Sequence, residues 1–322
     1  MSLLSSNDAQ INVLHICNNV TSTLSFVALL FFFTYIFRYS PEKITFPIKL
    51  LCNLFFADFV YTISNLISNL SGDSDTVCKI EGFLRTFSLW ASVLWATMIA
   101  AVAYARTVKN AITIEHKYPL LVLIGYVFPL LISTIPLWST SISYEYNQVY
   151  CWVVGKDDQQ TALIGVLIFG VWMWIATMIT TYLYIRIILF LKNLGFSNSI
   201  IQMKKLLVFP VILYITFIPV TIDDLNLLPK YKYIFTVLHV ILGHSLGLFN
   251  LVAYGYQRIR GGLTARGGSK HNLPSESGDG HLHDSDLNDL SLRSESEKPN
   301  KKSREYSETE NSLREVLVQA IH

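Results

Sequence analysis

The sequence predicts an all-α membrane protein: a seven-transmembrane helix bundle with its N-terminus outside and a disordered cytoplasmic tail. Three observations carry that prediction. Hydrophobic residues make up 52% of the 322 and charged residues only 15%, with a mean hydropathy of +0.40; soluble domains carry about 25% charged residues. Seven apolar segments recur, most near the roughly 20 residues that cross a hydrocarbon core. Basic residues gather in alternate connections, the asymmetry that sets orientation in a bilayer. The net charge of +2 adds nothing to that asymmetry. The chain divides into a short outer N-terminus (1–13), the bundle (14–256) and a cytoplasmic tail (257–322).

The first segment, Leu14–Phe37, follows MSLLSSNDAQ, which lacks a basic region and a cleavage site. It is expected to act as its own insertion signal. Asn19-Val20-Thr21 is a glycosylation sequon, balanced against a chance triplet because it lies so near the membrane. Arg38 and Lys43 follow on the inner side. The second segment, Phe46–Leu70, carries Asp58, and Asp73 and Asp75 lie beyond its outer end. The third, Gly82–Tyr104, is preceded by Cys78 and closes on Arg106, Lys109 and Lys117. Pro119–Trp138 is the fourth, and its outer connection holds Glu145, Cys151, Lys156, Asp157 and Asp158. The fifth, Ala162–Leu191, is followed by Lys192, Lys204 and Lys205. The sixth, Leu206–Ile222, contains Pro210 and Pro219 and ends on Asp223-Asp224. Tyr233–Tyr256 is the seventh, with Arg258, Arg260 and Arg266 after it.

Cys78 and Cys151 both fall on the outer side, where disulfides persist. A bridge between them is expected to tie the outer connection to the top of the third segment. Cys17 and Cys52 lie in apolar surroundings and read as small packed residues. From Gly261 onward the chain turns Ser-, Asp- and Glu-rich, a composition that cannot bury enough apolar surface to order itself. Ser275, Ser277, Ser294, Ser296 and Ser307 are candidate phosphorylation sites for a kinase or an arrestin-like partner; the alternative is a solvated tail with no partner. Ser312 and Glu315 have capping-box spacing ahead of a short amphipathic stretch.

No catalytic constellation is present: no phosphate loop, HExxH, GxSxG or paired metal-binding cysteines. No enzyme, cofactor, metal site or nucleic-acid polymer is therefore expected. The informative residues are polar ones inside the membrane, where a charge costs at least about 2.5–3.5 kcal/mol. Asp58 must face the interior, with Asn53, Ser64 and Asn250 as candidate neighbours and either a switching or a packing role. Arg85 shares a helical face with Ser88, Ser92 and Trp95, a stripe suited to a pocket for an anionic ligand. Against that stands an ion pair with Glu81 one turn away, or neutralisation by Asp223 or Asp224. Pro210 and Pro219 predict a kinked sixth helix. Asn250 and Tyr254, four apart, complete a face directed toward Asp58.

Several short runs resemble the cyclic-AMP-receptor-like G-protein-coupled receptors, class E, of slime moulds and plants. They are Leu24-Ser25-Phe26, Ala57-Asp58, Leu94-Trp95-Ala96-Thr97 with Ile99-Ala100, Arg106-Thr107-Val108-Lys109, Cys151-Trp152, Phe209-Pro210, Gly247-Leu248-Phe249-Asn250 and Ala253-Tyr254-Gly255. They run in order from about residue 24 to 256. The resemblance implies a receptor that binds cyclic AMP or another small anionic molecule outside and activates a heterotrimeric G protein inside. It gives Cys78 and Cys151 the disulfide positions and turns Arg106, Lys109, Lys192, Lys204 and Lys205 toward the G protein. The chain departs from the family at Asp223-Asp224, where relatives carry an Asn-Arg pair, and an Arg85 paired with those acids would not be free for a phosphate. No Asp-Arg-Tyr stands at the inner end of the third segment. The rival class is a seven-helix transporter or ion channel, although no internal repeat or matched pair of broken helices points to one.

Overall fold

A computed structural model describes residues 2–39, 45–71, 74–146, 149–157, 160–161, 163, 170–194, 207–224 and 229–253. All lie within the first of two units, 1–257 and 258–322. Lys204, Lys205, Tyr254, the candidate phosphorylation sites and the terminal amphipathic stretch fall outside the described residues, as does the side chain of Asp224.

Helix α1 (Ser2–Tyr39) contains no glycine or proline to interrupt it. It begins well before Leu14 and absorbs the stretch expected to be a separate N-terminal piece. Helix α2 (Phe46–Ser71) follows the expected bounds closely. Helix α3 (Asp75–Lys109) starts earlier than Gly82: Ser74 is extended at φ −150° and Asp75 occupies the first turn, where a carboxylate complements the helix dipole. It ends at Asn110, left-handed at φ 50°, a conformation asparagine tolerates better than most residues. A short 3-10 turn (Ile112–Lys117) leads into α4 (Tyr118–Trp138), with a proline in its first turn and Pro129 and Pro136 inside.

The connection after α4 is not a plain loop. Strands β1 (Ile142–Tyr146) and β2 (Cys151–Gly155) form an antiparallel hairpin with Tyr144 opposite Val153, so the bundle is not purely α. Alternation lets Tyr144 and Val153 face inward onto Trp90 of α3, as period-two side-chain placement requires. Tyr144 donates its hydroxyl to the Ser133 carbonyl at 2.8 Å, and burial raises its pKa above the usual phenol range. Gly82 makes room for it, because a Cβ there would collide with the Tyr144 ring.

Helix α5 spans Val171–Asn193 and α6 spans Val208–Asp224. Pro210 lies in the first turn of α6, where the missing N–H has no helical partner to lose, so of the two expected kink sites only Pro219 is interior. The seventh segment divides into α7 (Lys232–His244) and α8 (Leu246–Ala253), bent by 50° at Ser245. Gly243 and Gly247 flank Ser245, and glycine–serine sites are where helices bend sharply.

Helix α3 is the hub, packed against α2, α4, α5 and both strands. From its middle to its C-terminal end it joins the main core through Ala91, Trp95 and Val102, against Leu29, Phe32 and Ile36 of α1 and Leu54, Phe55 and Ala57 of α2. A second core brings Val93 to Met173 of α5, Leu213 and Phe217 of α6, and Leu246 of α8. Outward faces are apolar too, with Phe31, Leu123, Leu131, Trp172 and Met178 all more than half exposed. Such faces suit lipid rather than water. Five described helices are long and apolar enough to span a bilayer, six if α7 and α8 form one bent span, and α6 is a shorter apolar helix. This is a helical membrane protein, and its described spans fall short of the seven expected.

Candidate functional site

Two buried polar clusters line the axis between α2, α3 and α7–α8. The deeper one is built on Asp58, 1% exposed. Its carboxylate accepts from Ser92 Oγ at 2.6 Å and from Asn250 Nδ2 at 3.0 Å, so each oxygen has a donor and the buried acid is compensated. Gly247 permits this approach: a Cβ there would lie 2.9 Å from Leu29 Cδ1 and 3.3 Å from Asp58 Cβ. Of the neighbours expected for Asp58, Asn250 is present. Asn53 instead donates to the Tyr118 hydroxyl at 2.9 Å, and Ser64 donates to the Tyr61 carbonyl at 2.7 Å. Neither can reach across the bundle because each is on another face of α2.

The second cluster is built on Arg85 and Glu81, both fully buried on α3. Arg85 Nη2 donates to Glu81 Oε1 at 2.9 Å, the ion pair read as one alternative from spacing. The other carboxylate oxygen, Oε2, accepts the backbone N–H of Cys151 at 3.1 Å. Arg85 Nη1 lies 3.3 Å from His244 Nε2. A guanidinium only donates, so Nε2 is the acceptor and the imidazole proton sits on Nδ1. The guanidinium also lies 4.2 Å over the Tyr150 ring and 5.8 Å from that of Tyr61, within range of cation–π attraction.

The hairpin thus covers the cluster at the Cys78 end of α3. Cys78 and Cys151 are joined by a disulfide, which holds β2 over α3. Tyr150, the residue before the bridge, contacts Arg85, His239 and His244 with its ring. His239 in turn pairs with Asp223 Oδ2 at 3.3 Å, and Thr236 donates to Asp223 Oδ1 at 2.8 Å. Asp223 therefore bonds to His239 and Thr236 rather than to Arg85. Its position at the end of α6 turns it to α7, while Arg85 takes Glu81 of its own helix as its anionic partner.

The Arg85 stripe divides by depth. Ser88 donates to the Leu84 and Arg85 carbonyls of its own helix. Ser92 belongs to the Asp58 cluster, and Trp95 packs in the main core against Tyr126. At the C-terminal end of α3 Arg106 pairs with Glu115 of the 3-10 turn and lies 5.1 Å over the Phe46 ring. Lys109 and Lys192 are exposed. Asn19 sits on the helical backbone inside the first candidate span, Ala9–Arg38. Sequence reasoning missed Tyr150, His244 and Glu115; adjacency to Cys151 was the available signal for Tyr150, and flanking glycines for His244.

No protein-family model matches the chain. It is similar to the lutropin-choriogonadotropic hormone receptors of Gallus gallus (26% identical over 202 residues, 57% of this chain and 26% of that protein) and Sus scrofa (27% identical, 57% and 27%). The receptor of Mus musculus matches over the same share of the chain at 26% identity. The match thus spans about a quarter of the length of these relatives. A membrane-spanning helical chain whose described residues include a disulfide-held hairpin, and which is similar to receptors, has a receptor-like build.

Proposed function

We propose that the chain is a plasma-membrane G-protein-coupled receptor that senses an extracellular ligand and activates a heterotrimeric G protein. The observation that carries this reading is the position of Tyr150. One side chain of the outer hairpin touches Arg85 on α3 and both His239 and His244 on α7, and His239 holds Asp223 of α6. Anything that displaces Tyr150 changes the contacts of three helices at once.

The finer assignment is to the cyclic-AMP-receptor-like class, supported by the ordered motifs from Leu24 to Gly255. The ligand is a small anion, with cyclic AMP the leading candidate. Its phosphate competes with Glu81 for the Arg85 guanidinium, which presents a fork matched to phosphate oxygens. Asp223, held by Thr236 and His239 of α7, repels an anion spread along α6 and so favours a compact one that reaches Arg85; Asp224 is proposed to add to that repulsion. Receptor behaviour, not hormone recognition, is carried over from the relatives.

Signal passes from His244 through the bend at Ser245 to Asn250, and so to Asp58. Asn250 and Asp58, with Tyr254 four residues on, form the switch, and Pro219 gives α6 its hinge. Binding shifts the bundle only to the extent that the ligand prefers one arrangement over the other. At the inner face, loss of the Arg106–Glu115 pair frees Arg106 to join Lys109, Lys192, Lys204 and Lys205 in facing the G protein. The tail supplies sites for a kinase and an arrestin-like partner, and Asn19 is an acceptor only while α1 is outside the bilayer. Reconstituted vesicles test the reading against its rival: nucleotide exchange on an added G protein without solute flux supports the receptor, and flux without exchange supports a transporter.

A further inference from the structure

We infer that the inner-leaflet groove between α1, α2 and α4 binds an anionic phospholipid, with Lys49 as its headgroup contact. The groove encloses about 650 Å³, within the 300–1,000 Å³ usual for small-molecule sites. Its walls include Phe37, Phe56, Val127 and Leu130, each at least 40% exposed, so it opens sideways toward lipid.

The polarity of the groove is graded along its length. Lys49 and Tyr118 stand at the first turns of α2 and α4, the ends that the basic connections assign to the inner side. From Tyr118 to Leu130 α4 rises about 18 Å, close to one leaflet's share, about 15 Å, of the hydrocarbon core. A single acyl chain therefore fits from the headgroup level to the midplane. The floor is preorganised: Asn53 Nδ2 donates to the Tyr118 hydroxyl and Asn53 Oδ1 accepts from Tyr126 at 2.9 Å. Among the described residues no carboxylate pairs with Lys49, whose ammonium lies 5.9 Å over the Tyr118 ring. A cation at headgroup depth above an apolar slot one leaflet long selects a negatively charged headgroup. This inference needs only membrane insertion and stands apart from the receptor reading.

The test places the full chain in phosphatidylcholine nanodiscs containing a minor fraction of phosphatidylserine and counts retained lipids by native mass spectrometry. Phosphatidylserine is expected to be enriched about five-fold over the bulk composition, the effect of one interfacial cation. Lys49→Gln removes the enrichment and Lys49→Arg keeps it. Val127→Trp, which fills the slot, lowers retention of both phospholipids, and Arg38→Gln, outside the groove lining, leaves the enrichment intact. Retention at the bulk ratio overturns the inference, as does equal loss in Lys49→Gln and Arg38→Gln. Preferential retention of added cholesterol that is indifferent to Lys49→Gln overturns it too.

Discussion

Asn250 donates its side-chain amide to the Asp58 carboxylate at 3.0 Å, across 192 residues of sequence. That bond fixes the short α8 helix against α2, and Ser92 brings α3 to the same acid. Removing the amide leaves a buried carboxylate with one donor fewer, which costs about 1–3 kcal/mol. Asn250→Ala is therefore expected to lower the thermal midpoint of the purified protein. Asp58→Asn combined with Asn250→Ala is expected to cost less than the two single changes summed, because the pair shares one interaction. Strict additivity would separate the two residues.

The disulfide anchors the hairpin to α3, closing a separation of 73 residues. In the chain-entropy account a loop of that size contributes about 4 kcal/mol. Cys78→Ala is expected to reduce surface expression sharply, and Cys78→Ala with Cys151→Ala is expected to do no worse than either change alone. Peptide mapping without reduction should recover the two cysteines linked.

Arg85 has both a structural partner and a proposed ligand role, and the two are separable. Arg85→Ala leaves Glu81 buried with only the Cys151 N–H, and breaking a buried pair in this way costs about 3–5 kcal/mol. Expression should fall. Glu81→Gln with Arg85→Gln keeps neutral hydrogen-bonding groups at both positions and is expected to restore expression without restoring the response to ligand. Full recovery of the response would limit Arg85 to packing.

At the C-terminal end of α3 Arg106 is 9% exposed while its partner Glu115 is 47% exposed. An ion pair open on one side contributes at most about 1 kcal/mol. Glu115→Gln is expected to raise basal nucleotide exchange by up to about five-fold, read in membranes without ligand, and to leave maximal stimulated exchange unchanged. Unaltered basal exchange would remove this pair from the mechanism.

Period and charge carried most of the architecture, and for physical reasons. A bilayer demands long apolar helices, so α1 to α5 were visible as hydropathy, and a buried acid must find donors, so Asp58 pointed to Asn53, Ser64 and Asn250, of which Asn250 is the one that bonds to it. What stayed hidden depended on pairing between distant segments. The β1–β2 hairpin has only five residues a side, too short for alternation to stand out beside Cys151. Tyr150 and His244 gained meaning only when the hairpin folded over α3. The 50° bend at Ser245 was masked because the segment is apolar enough on average to read as one span, although Gly243 and Gly247 mark it. Ser92 was legible as polar but not as the partner of Asp58, because side-chain direction across α2 and α3 is set by packing around Gly247 and Trp95.

The claim that an outer ligand drives an inner G protein is tested most directly by guanine-nucleotide exchange on G-protein α subunits in membranes carrying this chain, with and without cyclic AMP. The account predicts exchange that rises with the nucleotide in the wild type and is lost in the expressed Glu81→Gln, Arg85→Gln double variant. No exchange with any α subunit, with or without the nucleotide, would contradict it.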